Sequence, residues 1–175
     1  PIGVDLIKND NIKENIIFKK IDAIKYLKES DKYFDIILIK QTIHFFSKRK
    51  IITLLNLCKK RLNKKGVFLI LSLKTKNNQI PSFKLMKKKL DASLRKDEQI
   101  LVLIKRNLKS FEKQKFTYKA VVKKNDYMKM IKNRFISCLI TLSKKEIFEG
   151  IREIKVKFKA LIKFGDTLEC IIYRR

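Results

Sequence analysis

Asp5 closes the apolar run Ile2-Gly-Val, Asp22 closes the run Ile16–Ile21, and Lys40-Gln41-Thr42 closes the run Phe34–Ile39. If those runs are parallel strands, all three groups stand just beyond carboxyl ends, where open α/β sheets bind ligands. A carboxylate after one strand can accept from both hydroxyls of a ribose. A carboxylate after the next can accept from an adenine amino group, and backbone after a third can line the remainder of the ligand. The chemistry open to these residues is therefore nucleoside binding, and a plain strand-end role for the two aspartates is equally open. His44 is the single histidine and sits among Ile43, Phe45 and Phe46. Its ordinary pKa suits general-base work, and packing in its loop is the simpler reading. The Arg134 fork suits a substrate carboxylate or a structural ion pair.

Other chemistries are excluded by spacing. Cys58, Cys138 and Cys170 lie far apart with no CxxC pair, which removes a disulfide scaffold and a zinc ribbon and fits a reducing, cytoplasmic compartment. They fall on apolar stretches and read as core residues. The four glycines, at 3, 66, 150 and 165, are too far apart for GxGxxG or a phosphate-binding loop. No apolar run approaches the roughly 18–20 residues of a membrane span.

The elements that must position these groups follow from pattern. Ile2–Leu6 reads as the end of a strand, Asn9–Asn15 as a polar loop, Ile16–Ile21 as a strand and Ala23–Lys28 as a short helical turn. Phe34–Ile39 is apolar on both faces, as a buried parallel strand must be. Ser47 can cap a helix whose apolar positions Ile51, Leu54, Leu55, Cys58 and Leu62 recur at helical spacing. Asn63-Lys-Lys-Gly66 reads as its stop, with Gly66 left-handed, and Val67–Leu73 as another buried strand. This alternation predicts a parallel α/β sheet. Beyond it come a polar loop over Lys74–Pro81, a helix over Ser82 to about Lys109, and a strand over Phe116–Val122. A helix over Asn125–Ser137, a capping box at Ser143 and Glu146 opening a helix to about Lys157, and a last strand over Thr167–Tyr173 complete the pattern. No repeat or linker appears, so residues 1–175 read as one domain, with lid or substrate elements over about 82–160.

The net charge is +27, from 44 basic and 17 acidic residues. A charge of that size fits a nucleic-acid or anionic-membrane partner. The excess is mostly lysine, spread from Lys8 to Lys163, in a chain that is also rich in Ile, Asn and Phe. That pattern reads as compositional drift rather than a phosphate-binding face, which would favour the bidentate arginine fork.

The segments Gly3-Val4-Asp5-Leu6, Ile17–Ala23, Tyr33–Leu38, Thr42–Phe46 and Leu62–Phe68 together resemble the class I S-adenosylmethionine-dependent methyltransferases. The resemblance covers about the first seventy residues. Its strongest element is Phe34-Asp35-x-Ile37, followed by a His-Phe loop and an Asn/Lys-Gly turn into a strand. The segments Asn133–Ser137 and Ser143–Ile154 also look like those some members carry before the last strand. The resemblance implies a Rossmann-like α/β sheet, mostly parallel with an antiparallel last strand, and S-adenosyl-L-methionine as cofactor. Asp5, with Leu6 beside it, matches the ribose-binding position. Asp22 and Ala23 match the adenine contact, Lys40 lines the cofactor, and His44 lies in the loop that faces substrate. Asp35 matches a structural strand-entry aspartate.

The family's first strand and glycine-rich loop have no counterpart. They should lie about one strand–helix unit, roughly 30 residues, before Ile2. The stretch from Asp5 to Asp22 is also too short for the usual helix. In the family order 3-2-1-4-5-7-6, loss of strand 1 leaves two unpaired edges in mid-sheet. The chain then reads as the C-terminal part of an enzyme, binding cofactor poorly and incompletely stable by itself. The expected activity is methyl transfer to a small molecule, governed mainly by orientation. Its acceptor pocket is expected from the His44 loop, the Ser82–Lys109 helix and Arg134–Ser137. A nucleic-acid methyltransferase is the first alternative, although Lys40-Gln-Thr-Ile is not the Asn/Asp-Pro-Pro-aromatic motif and no Pro-Cys pair occurs. A non-catalytic basic binding module is the second, and it requires a fold complete without further residues.

Overall fold

The computed structural model describes residues 1–7 and 15–175, so the polar loop expected over Asn9–Asn15 lies, apart from Asn15, outside the described residues. The chain forms two compact units. One holds residues 1–71, 102–113 and 171–175, and the other 72–101 and 114–170.

In the first unit, β1 (Ile2–Asp5) and β2 (Ile17–Lys20) pair in parallel, from Ile2 opposite Ile17 to Asp5 opposite Lys20. Asp22 then starts α1 (Ala23–Glu29), which buries Ile24 and Leu27. β3 (Phe34–Lys40) is followed by α2 (Lys48–Arg61), and the Ser47 hydroxyl caps α2 by accepting from the Lys50 amide. The predicted stripe Ile51, Leu54, Leu55 and Cys58 is fully buried. Arg61 closes the preceding helix: its Nε donates to the Leu27 carbonyl at 3.1 Å, and its guanidinium lies 5.9 Å from the Tyr33 ring. A cation at a helix carboxyl end satisfies carbonyls that have no intrahelical partner.

The expected glycine stop is replaced by a bulge. β4 (Leu62–Leu73) starts directly after α2 and pairs with β3 in parallel, but Phe34 faces Leu62 while Ile36 already faces Val67. The extra residues bow out, and Lys65, not Gly66, takes the left-handed backbone at φ 66°. Gly66 is required for closeness instead. A Cβ there would sit 2.9 Å from the Asn63 carbonyl oxygen and 3.1 Å from that of Phe34.

The second unit is built on a cluster of Phe83, Met86, Tyr127, Ile131, Leu139, Ile147, Ile154 and Ile162. α3 (Lys84–Leu108) matches its predicted span, and α4 (Lys124–Lys132) ends five residues short of the predicted Ser137. The cause is backbone: Arg134 turns left-handed at φ 53°, which a continuing helix does not allow. α5 (Lys144–Lys157) carries the predicted capping box. Ser143 Oγ accepts from the Glu146 amide and Glu146 Oε2 accepts from the Ser143 amide at 2.7 Å. The Ser143 backbone amide first, and the Ser143 hydroxyl second, hold the Glu146 carboxyl below its ordinary range.

The remaining strands are β5 (Glu112–Lys123) and β6 (Leu161–Arg174), giving the sheet orders β1-β2 and β3-β4-β6-β5. β6 runs against both neighbours. Arg175 N donates to Gly66 O and Lys74 N to Thr167 O along β4, while Arg174 bonds Glu112 and Thr167 bonds Thr117 along β5. β3, β4 and β5 thus share a direction, and β6 is the antiparallel strand that the sequence predicted.

The two outer strands of the larger sheet both expose apolar side chains, Phe116, Tyr118 and Val121 on β5 among them, and differ in charge. β5 places lysines at 113, 115, 119 and 123 along an exposed edge, the usual protection of a terminal strand against further pairing. β3 has no such protection. Its sequence is Phe-Asp-Ile-Ile-Leu-Ile-Lys, and Ile36 and Leu38 are 65% and 53% exposed. Their partners Val67 and Leu69 on β4 are only half-buried, whereas Phe68 and Ile70 on the other face are fully buried. An apolar parallel strand with one bare face and one open edge has the composition of an interior strand.

Candidate functional site

Asp5 and Asp22 leave the carboxyl ends of neighbouring parallel strands. Asp5 is opposite Lys20, and its carbonyl accepts from the Ile21 amide at 3.0 Å. Each carboxylate is fixed through Oδ1. Asp5 Oδ1 accepts from the Ile7 amide at 3.0 Å, and Asp22 Oδ1 accepts from Ile24 and Lys25 at 2.9 and 3.0 Å. Asp22 is therefore the N-cap of α1, so its strand-end role is real whatever else it does. An ionised carboxylate accepts through both oxygens, and a group anchored through one of them is oriented for a ligand hydroxyl or amino group. Leu6 follows Asp5 and is 63% exposed, and Ala23 opens α1.

Asp22→Ala is expected to lower stability by about 1 kcal/mol through the lost cap, whereas Asp22→Ser restores the cap. A nucleoside ligand that still binds Asp22→Ser weakly reports a contact beyond the cap. Equal affinity of Asp22→Ser and the parent, measured by titration beside denaturant unfolding, would leave Asp22 with the cap alone.

Lys40 ends β3 with its side chain exposed. Gln41 prolongs the pairing by one bond, its amide donating to the Leu71 carbonyl at 2.8 Å, and then turns left-handed at φ 53°. A glutamine held there is strained, and such residues cluster at binding edges. His44 lies in the short 3-10 turn Ile43–Phe45, with its ring 4.2 Å from that of Phe45. Its Nε2 is buried without a hydrogen-bond partner. Packing accounts for the position of the ring, and proton transfer through Nε2 requires the turn to open.

Arg134, in the second unit, donates from Nη2 to the Leu142 carbonyl at 2.6 Å. It ties the end of α4 to the segment before α5, so its partner is a backbone carbonyl rather than a carboxylate. The thiols are not nucleophiles. Burial pushes Cys58 up to about 12 and Cys138 up to about 11, and raises Cys170, which keeps all three protonated at neutral pH. Among the described residues no group of His, Cys, Asp or Glu could hold a metal ion, and no helix is long and apolar enough to cross a membrane.

One concavity was not foreseen from sequence. The second unit holds a cavity of about 560 Å³ between the segment 78–82, the first turn of α3, the end of α5 and the start of β6. Its rim segment is fixed by side chains. Asn78 donates to the Lys74 carbonyl and accepts from the Ile80 amide, Gln79 accepts from the Gly165 amide, and the Tyr127 hydroxyl donates to the Pro81 carbonyl. Read as a plain polar loop, Lys74–Pro81 carried one usable signal, the Asn78 side chain turning on its own backbone.

No protein-family model matches the chain, and no curated protein matches it. Solved structures do. A SAM-dependent methyltransferase from Archaeoglobus fulgidus superposes with a TM-score of 0.50 at 21% identity, over 99% of this chain and 75% of that one. A protein assigned to the methyltransferases of an antibiotic biosynthesis pathway in Anabaena variabilis superposes with a TM-score of 0.52 at 13% identity, over 91% and 74%. The fold is that of the S-adenosylmethionine-dependent methyltransferases. Asp5 and Lys40 end β1 and β3, and Asp22 follows β2 as the N-cap of α1.

Proposed function

We propose that this protein transfers a methyl group from S-adenosylmethionine to a small-molecule acceptor in the cytoplasm. The observation that carries the reading is the pair Asp5 and Asp22, fixed at the ends of adjacent parallel strands in a methyltransferase fold. Acceptor-only carboxylates suit the ribose hydroxyls and the adenine amino group. In this reading Asp5 takes the hydroxyls, Asp22 with Ala23 takes the adenine edge, and Lys40 with the strained Gln41 lines the remainder. The bound donor supplies an electrophilic methyl carbon on a positively charged sulfur. The chain's own contribution is to hold an acceptor lone pair in line with that carbon, which is catalysis by orientation. His44 serves as base only where the acceptor carries a proton.

Among the described residues β1 and β3 each pair with a single strand, and β3 exposes Ile36 and Leu38. We propose that a further parallel strand, with a covering element, lies between them in the complete protein. Both parts are tested on protein expressed with the in-frame coding sequence upstream of Pro1. Amides of β3 should gain protection from hydrogen exchange, and label from methyl-labelled S-adenosylmethionine should reach small molecules of a cell extract. Label in RNA would favour the nucleic-acid alternative, to which the charge of +27 lends support. A stop codon directly before Pro1, with a folded chain that takes no label, would favour the non-catalytic basic module.

A further inference from the structure

The cavity of the second unit is lined by apolar and basic residues together. Ile80, Pro81, Phe158 and Phe164 are the apolar ones, and Lys84, Lys87, Lys157 and Lys163 stand beside the single carboxylate of Glu153. Two carboxylates offset part of the basic charge there. Glu153 Oε2 accepts from the Lys84 backbone amide at 2.9 Å, and Asp91 pairs with Lys87 at 2.9 Å. Lys157 is held by its bond to the Ser82 carbonyl at 3.3 Å. Whether drift or selection supplied the lysines, the net field of the ammonium groups along one concavity does not depend on their origin. The segment 78–82 is held by the side chains of Asn78, Gln79, Tyr127 and Lys157, so little ordering is needed when a ligand enters.

We propose that this cavity binds a small anion, a phosphate or carboxylate attached to an aromatic or other flat apolar group. The anion is recognised by its charge at Lys84 and Lys163 and by its apolar part against Phe158 and Phe164.

The test is calorimetric titration of the full protein with 2-naphthyl phosphate, 2-naphthoate and the neutral 2-naphthol, beside a separate titration with S-adenosylhomocysteine. Either anion should bind about tenfold or more tightly than 2-naphthol, and the ratio of the two anions assigns phosphate or carboxylate. The double variant Lys84→Gln/Lys163→Gln should lose about tenfold in anion affinity, roughly one charge-assisted contact, with an unchanged thermal transition. Lys119→Gln on β5 serves as the control for net charge. Equal binding of 2-naphthol, or the same loss in Lys119→Gln, would overturn the proposal. Failure of the homocysteine titration alone would strike the methyl-transfer reading and leave the anion site standing.

Discussion

Phe83→Ala is expected to lower the stability of this protein by about 3–5 kcal/mol, the usual range for a buried phenylalanine. Phe83 is 1% exposed and packs among Met86, Tyr127, Ile131, Ile147 and Ile154. Domains of this size have stabilities of about 5–15 kcal/mol, so the variant sits near the folding threshold. Gly150 gives the same contact a second probe. A Cβ there would lie 2.5–2.6 Å from the Phe83 ring, although alanine is better than glycine inside a helix by about 1 kcal/mol. Overlap with a ring in a packed core outweighs that gain, since overpacking costs about 1–3 kcal/mol. Gly150→Ala should therefore destabilise the parent and become neutral or stabilising in the Phe83→Ala background. Denaturant unfolding of the four proteins measures the coupling. The same loss in both backgrounds would show that the ring does not dictate the glycine.

Asp5→Asn should weaken S-adenosylhomocysteine binding by about a hundredfold, the loss of charge-assisted bonds to two hydroxyls at about 1.5–3 kcal/mol each, reduced because the amide oxygen still accepts. Its stability should stay within about 0.5 kcal/mol of the parent, because the side chain is exposed and an amide oxygen replaces Oδ1 as acceptor for Ile7. This separation of affinity from stability is what distinguishes a ligand contact from a turn-former. Asp22 lacks that separation, since it caps α1 and acts on both.

Much of the fold was legible because local chemistry and tertiary need coincide. Ser47 and the Ser143–Glu146 box are satisfied by bonds within four residues, so pattern alone places them. The stripe from Ile51 to Cys58 faces inward because nothing else could bury it. The misreadings come where distant atoms decide. Gly66 looks like a helix stop, but the carbonyls of Asn63 and Phe34 are what exclude a side chain there. The helix expected to reach Ser137 ends early at a left-handed Arg134, whose guanidinium is spent on a carbonyl eight residues away. The ends of β1, β2 and β3 could be read because strand-end polarity is local. The cavity beside Pro81 could not, because α3, α5 and β6 meet there only in three dimensions. An unpaired edge at β3 is what the resemblance's strand order implies, and among the described residues β3 pairs with β4 alone.

The most direct measurement is a calorimetric titration of S-adenosylhomocysteine into the protein expressed with whatever in-frame coding sequence precedes Pro1. The account predicts one saturable site per chain, weakened by Asp5→Asn without loss of folding. A well-folded protein expressed in that way that shows no heat of binding, or binds equally with asparagine at position 5, would contradict it.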